Sequence, residues 1–387
     1  MRLPLAEREA YREPPMPNYR IAVIGRTGRG NYGHGLDIVW RQFDNVQIVA
    51  VADENEQGRL AAQKRLGAKN VYADFRDMLK KERPHIVSVA DRHLDQHRDM
   101  VIACAEAGAS VFLEKPMCRD LAEADAMVAA CEKHHVKLAI AHQTRYSPRL
   151  QRVKDLIADG RIGTLLELRG RGKEDSRAGG EDLMVLGTHI MDLMRLVAGD
   201  ARWCSARVAV VEKDRVRPMN KADIRDGNEG IGPLAGTHII AQYGFDRGVI
   251  GHFASVRSPR DAKDPDRFGL TICGSRGVIQ LTTGSLPPVF LLSDPGWFPG
   301  RSRVAWQEVT SAGVGKEEPL KDGGLGQGNV WIVRDLMEAV ERDRQPRGSV
   351  YDARAALEMI LAVYDSQRLG RAVEIPLQNR RHPLTML

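Results

Sequence analysis

Tyr19 to Gly35 reads YRIAVIGRTGRGNYGHG: an apolar run that ends in a cluster of glycines. A dinucleotide-binding turn asks for a glycine to turn tightly, a small residue where backbone approaches pyrophosphate, and a third glycine where a helix packs on the strand. Gly25, Thr27 and Gly30 take those places, with Thr27 replacing the middle glycine and Gly28 beside it. A helix is expected to follow. The cluster is weak evidence until its context is added. Asp53 closes the second apolar run, VQIVAVAD, at roughly the 20-residue separation expected of the acid that binds the adenosine ribose. A carboxylate there, with Glu54 next to it, accepts from both ribose hydroxyls and repels a 2′-phosphate, so NAD is predicted in preference to NADP. Arg26 and Arg29 are open to two readings, solvated loop charge or partners of a 2′-phosphate.

Outward from this stretch, NVYAD, HIVSVAD, SVFLEKP and KLAIAHQ repeat the pattern, with helix-like segments such as QGRLAAQKRLG and DMVIACAEAG between them. Near-continuous apolar runs suit strands buried on both faces, and their alternation with helices predicts a doubly wound parallel Rossmann sheet. Past Gly163 the period changes. LLELRGRGK, ARWCSARVAVVEK, THIIAQYGF, GVIGHFASV, FGLTICGSRGVIQLTTG and PPVFLLSD read as strands of a large open, mainly antiparallel sheet in an α+β domain. Helices are expected on one of its faces, leaving an apolar face for a second copy and hence a homodimer or homotetramer. The predicted division is an arm over 1–18, a nucleotide domain over 19–143, and a substrate and oligomerisation domain over 144–387.

Composition narrows the class. The 387 residues, 43% of them hydrophobic, suffice for two cores. With no apolar leader near Met1 and no long apolar run, a cytoplasmic protein without a membrane association is expected. Five widely spaced cysteines predict reduced packing residues. A net charge of +6 with 51 interleaved acids argues against a nucleic-acid partner, which needs massed positive charge. His93 and His97 have metal-ligand spacing, but Leu94 stands where a zinc protease has glutamate and no third ligand is evident, so no metal is predicted.

Lys115 sits at the carboxyl end of the fifth strand, where open α/β sheets place ligands, and Pro116 sets the turn that aims it. Downstream, GEDLMVLGTHIMD places Glu181 and Asp182 in a first helical turn and sets His189 beside an apolar stripe, with Asp192 one turn on. A histidine in such a stripe is ordinarily a packed core residue. The combination of Glu114-Lys115-Pro116 with G-x-H-x-x-D is specific, however, and with HQTRYSPRLQRVKDLIADGRIGTL and the closing helices it resembles the glucose-fructose oxidoreductase and inositol dehydrogenase (Gfo/Idh/MocA) family. That resemblance implies a cis Lys115–Pro116 peptide, Glu114 and Lys115 beside the nicotinamide, and His189 as proton acceptor. It also places Ala90, Asp91, Arg92 and His97 near the nicotinamide ribose, with Asp91-Arg92 replacing the usual threonine and proline. Many relatives carry aspartate where this chain has Val185. Either Asp182 or Glu181 replaces it or it is not needed, and Asp192 is expected to steady the imidazole or to meet a substrate hydroxyl.

The expected activity is NAD-dependent oxidation, or reduction of the corresponding ketone, at a secondary hydroxyl of a sugar, glycoside or cyclitol. His189 would act as base and Lys115 as stabiliser of the alkoxide, with Arg145, Tyr146, Lys173, Glu181 and Asp182 as substrate contacts. Two alternatives stay open: a redox-assisted glycoside hydrolase or lyase, and a non-catalytic sensor of NAD and sugar.

Overall fold

A computed structural model describes residues 18–212, 215–257, 267–300 and 302–387. All but the last residue of the expected arm lie outside the described residues. The apolar runs of the first half form six strands: β1 (Tyr19–Ile24), β2 (Val46–Ala52), β3 (Asn70–Tyr72), β4 (Ile86–Val89), β5 (Ser110–Leu113) and β6 (Leu138–Ile140). They pair in parallel in the order β3-β2-β1-β4-β5-β6. The order reverses between β1 and β4, which opens a crevice at the carboxyl ends of the strands. Helix Glu56–Leu66 is delimited as its sequence suggests: Asn55 accepts from the Gly58 amide, and Gly67 closes it at φ 70°.

No α-helix follows the glycine cluster, contrary to expectation. The chain runs through turns into a short 3-10 turn at Val39–Gln42. The cause is local, because Gly28, Gly30, Asn31, Gly33 and Gly35 all take positive φ, which right-handed helix cannot use.

The second half builds a sheet of eleven described strands in which Leu165–Arg171 and Ile250–Val256 run parallel and every other pairing is antiparallel. Helices Gly187–Ala198 and Val350–Leu369 cover one face. Gly170 lets Ile190 and Met194 press onto the sheet, where a β-carbon would collide with them. The opposite face is not the apolar surface expected. Register places Arg169, Thr271, Gln280, His252 and Gln242 in one polar row across it, with Val216, Ile240 and Phe290 as exposed apolar side chains on the same face. Helix Leu325–Glu341 returns to the first sheet, where Val333, Leu336 and Met337 join the core of Tyr19, Ile21 and Trp40. All five cysteines are buried and unpaired. Among the described residues no helix is long and apolar enough to cross a membrane.

Candidate active site

At the end of β5 the chain passes through Glu114 to a cis Lys115–Pro116 bond. The turn aims the Lys115 ammonium at the Val185 carbonyl, 3.4 Å away, with Glu114 Oε1 at 3.9 Å. Position 185, which has no acidic side chain, thus meets Lys115 through its backbone. Burial lowers the lysine's pKa, opposed by the nearby Glu114 charge. Glu114 is fully buried, and its Oε1 lies 2.8 Å from His34 Nδ1. Burial raises the Glu114 pKa, but the His34 hydrogen bond and Lys115 outweigh it and hold the carboxyl below its usual range. Glu114 Oε2 has no hydrogen-bond partner among the described residues.

The stripe around His189 is two helices, Gly180–Val185 and Gly187–Ala198, broken at Leu186 where φ is −116°. The break turns the His189 ring into a cavity of about 350 Å³ that is also lined by Lys115, His34, Lys173, Gln143, Thr144 and Phe268. His189 has no side-chain hydrogen bond to any described residue. It meets the His142 ring at 5.1 Å and the Phe268 ring at 6.0 Å between centroids. Burial, then the neighbouring His142 and Lys115, push its pKa well below 6.5, so at neutral pH the ring is uncharged and able to accept a proton.

Asp192 makes no hydrogen bond to His189; its charge alone acts on that ring, raising the imidazole pKa against the larger lowering by burial. One of its oxygens lies 2.9 Å from Arg145 and 3.5 Å from His142 Nδ1, and Arg145 continues to Asp352 at 2.6 Å. His142 Nε2 is 3.0 Å from Thr188 Oγ1. The expected direct support of His189 is therefore replaced by a buried network one ring further back. Arg145 belongs to that network, and Tyr146 is buried with its hydroxyl accepting from the Gly348 amide, so neither lines the cavity.

The two acids expected to replace the one missing at Val185 are also engaged elsewhere. Asp182 accepts from the Ser255 hydroxyl and from the amides of Lys173 and Glu174. Glu181 accepts from Asn228. Asp182 thus supports the loop carrying Lys173, and Lys173 is the member of this set that reaches the cavity. His34 and His142 were not singled out in the sequence. Both were within reach of the same argument, since His34 lies in the glycine stretch and His142 just past the carboxyl end of β6.

In the nucleotide half, Asp53 Oδ2 accepts from the Thr27 amide and hydroxyl and from Tyr32, while Oδ1 accepts from the Asn55 amide. Thr27 thereby anchors the loop to β2, and Gly28, at φ 85°, leaves open space where a side chain would stand while its amide donates to Asn31 Oδ1 at 3.1 Å. Glu54 is exposed beside it. Arg26 is buried and paired with Asp91 (3.0 Å) and Asp95 (2.7 Å), so it is neither solvated nor free for a 2′-phosphate; Arg29 is exposed. The Asp91-Arg92 pair closes onto the glycine loop: Arg92 backs against Gly30 and reaches Glu229 of the second domain. Ala90 caps β4, its amide bonded to the Ile24 carbonyl at 2.9 Å. His97 is wholly buried, with its nitrogens 2.7 Å from the Asp91 carbonyl and 3.0 Å from that of Met117. It ties the β4 loop to the Glu-Lys-Pro turn and does not face the crevice. A buried Glu114 oxygen without a hydrogen-bond partner among the described residues, and a glycine turn at Gly28 with open space where a side chain would stand, fit a bound dinucleotide.

Comparison with known proteins bears on the family and the fold. Residues 19–142 match the family described as "Oxidoreductase family, NAD-binding Rossmann fold", and residues 154–375 match "Oxidoreductase family, C-terminal alpha/beta domain". The chain is 34% identical to D-apiose dehydrogenase of Paraburkholderia graminis, over 87% of this chain and 85% of that protein. It is 27% identical to levoglucosan dehydrogenase of Pseudarthrobacter phenanthrenivorans, over 59% of this chain and 63% of that one. A solved structure of levoglucosan dehydrogenase with NADH and levoglucosan superimposes with a TM-score of 0.73, at 20% identity, covering 93% of this chain and all of that one.

Proposed function

The chain belongs to the Gfo/Idh/MocA family of NAD-binding oxidoreductases, and from that premise we propose that it oxidises a secondary hydroxyl of a sugar, glycoside or cyclitol, or reduces the corresponding ketone. The observation that carries this reading is one cavity lined by both a buried lysine and a buried histidine whose side chain has no hydrogen bond to any described residue, burial pushing the pKa of each down. His189 takes the hydroxyl proton. Lys115, held by the Val185 carbonyl and the Glu114 charge, donates a hydrogen bond to the same oxygen and stabilises alkoxide as the proton leaves. Glu114, with one oxygen unpaired among the described residues, and the turn at Gly28, which has no side chain to bar the approach, are the groups that would hold the dinucleotide, with Glu54 and Asp53 toward its adenosine ribose. Bound NAD supplies the hydride acceptor. Phe268, Leu186 and Leu325 on the wall exclude water from the reacting carbon.

The test is NADH formation across a panel of sugars and cyclitols. Lys115→Ala and His189→Ala are each expected to lose at least ~10²-fold in kcat while NAD still binds. Retained turnover in His189→Ala would remove the base assignment. A second reading is favoured by His34, a partly exposed histidine held by Glu114 on the wall of the same cavity. A further acid or base there suits redox-assisted cleavage, in which a proton is drawn from the carbon beside a transient ketone. Uptake of solvent deuterium at that carbon distinguishes it from simple dehydrogenation.

A further inference from the structure

The cavity is unusual for one that would hold a neutral polyol, because every ionisable side chain among its described lining residues is basic: His34, Lys115, Lys173 and His189. The remaining polar lining side chains are Gln143, Thr144 and Thr283. Neutral sugars are commonly gripped by carboxylates that accept from their hydroxyls, and the nearby acids are turned to other work. Glu114 faces His34, Asp182 is bonded to Ser255 and two amides, Glu181 accepts from Asn228, and Glu229 pairs with Arg92.

Lys173 is placed with care. Its own amide and that of Glu174 donate to the two oxygens of Asp182 at 3.1 Å each, and Glu174, at φ 61° and buried, accepts from the Val256 amide and pairs with Arg171. The backbone beneath the lysine is therefore pinned to both neighbouring elements. Its ammonium is less committed: Asp175 lies 3.7 Å away, but Arg177 holds that carboxylate through two side-chain nitrogens at 3.0 and 2.6 Å and through its amide. A rigidly based, half-exposed cation on a wall without acids is an arrangement for meeting negative charge.

We propose that the substrate is a hydroxy acid of the sugar-acid class, and that Lys173 binds its carboxylate while Lys115 and His189 act on a hydroxyl. This rests on the dehydrogenase reading for the chemistry but not for the binding. The experiment titrates the NADH-loaded enzyme, followed by NADH fluorescence, with matched pairs that differ chiefly in one carboxylate: D-gluconate against D-glucitol, D-xylonate against xylitol, and D-glucuronate against D-glucose. At least one acid is expected to bind about tenfold or more tighter than its neutral partner at low salt, with the preference shrinking as salt rises. Lys173→Met should abolish the preference and Lys173→Arg largely restore it, with NADH affinity unchanged in both. Equal binding within all three pairs overturns the proposal, as does a preference that survives Lys173→Met. Turnover measured on the same pairs separates the two readings. Neutral polyols oxidised without any acid preference would leave the dehydrogenase standing and remove the carboxylate site. An acid preference lost in Lys173→Met, with no turnover of any compound, would retain the site and remove the dehydrogenase.

Discussion

Lys115 and His189 were legible one by one because each stands in a short motif whose spacing sets a direction. Their supporting groups were not, because support comes from residues distant in the chain. Asp192, three residues from His189 in sequence, serves Arg145 and His142 instead. Burial raises its pKa, but Arg145 and His142 more than reverse this and hold the carboxyl far below its ordinary range. Removing one member of a buried charge pair typically costs about 3–5 kcal/mol, since the other is left uncompensated. Asp192→Asn is therefore expected to lower the urea midpoint strongly and to reduce kcat only in proportion to folded protein. A stable variant with a specific loss of kcat would instead return Asp192 to the side of the imidazole.

Among the elements, the short helix Gly180–Val185 shows how a stretch with a plausible catalytic role becomes a brace. Its acids fall in a first turn, as the sequence predicts, yet Asp182 points toward Ser255 and the amides of Lys173 and Glu174. Asp182→Ala strands three donors in a buried place, for which about 2–3 kcal/mol of stability should be lost, visible as a lower thermal midpoint. Because the loop carrying Lys173 loosens, KM is expected to rise more than kcat falls; a variant with normal stability and no turnover would make Asp182 a direct participant. The glycine stretch went the other way. Its strand and turn were legible, but the helix expected after it is absent, because five positive-φ positions between Gly28 and Gly35 decide the local path.

For the whole molecule, the tail after helix Val350–Leu369 folds back so that His382 is buried, its ring 5.6 Å from that of Tyr364. Burial lowers the His382 pKa to about 4, below the 6.5 of an unfolded histidine. Between these values the unfolded chain binds a proton that the native chain does not. Stability is therefore full above about pH 6.5 and is lost as pH falls toward 4, on the order of 2–3 kcal/mol from this one residue. Urea unfolding at pH 7 and pH 5 should show the fall in wild type and a flatter profile in His382→Gln. Assembly is a second property at this scale. Self-association as a homodimer or homotetramer is expected through the open sheet face, on which Ile240 and Phe290 stand exposed on well-separated strands among polar neighbours. Combining Ile240→Arg with Phe290→Asp should bring the mass seen by light scattering down to the 43.0 kDa of one chain. An unchanged mass would place any interface elsewhere.

The chain alone determined the parallel nucleotide sheet, the change to a second, largely antiparallel sheet, the Glu-Lys-Pro turn and the candidacy of His189. These are written in local patterns: apolar runs of strand length, glycines at turns, and a proline after the lysine. The tertiary structure decided which side chains share the cavity, which acids are spent on braces, and that a polar row crosses the open sheet face between its exposed apolar side chains. Those outcomes depend on the register of strands far apart in sequence and on competition among many donors for each buried carboxylate. Nothing in the residues around Asp182, Asp192 or Glu114 announces which donor wins. Only packing brings Ser255 to the first, Arg145 to the second and His34 to the third.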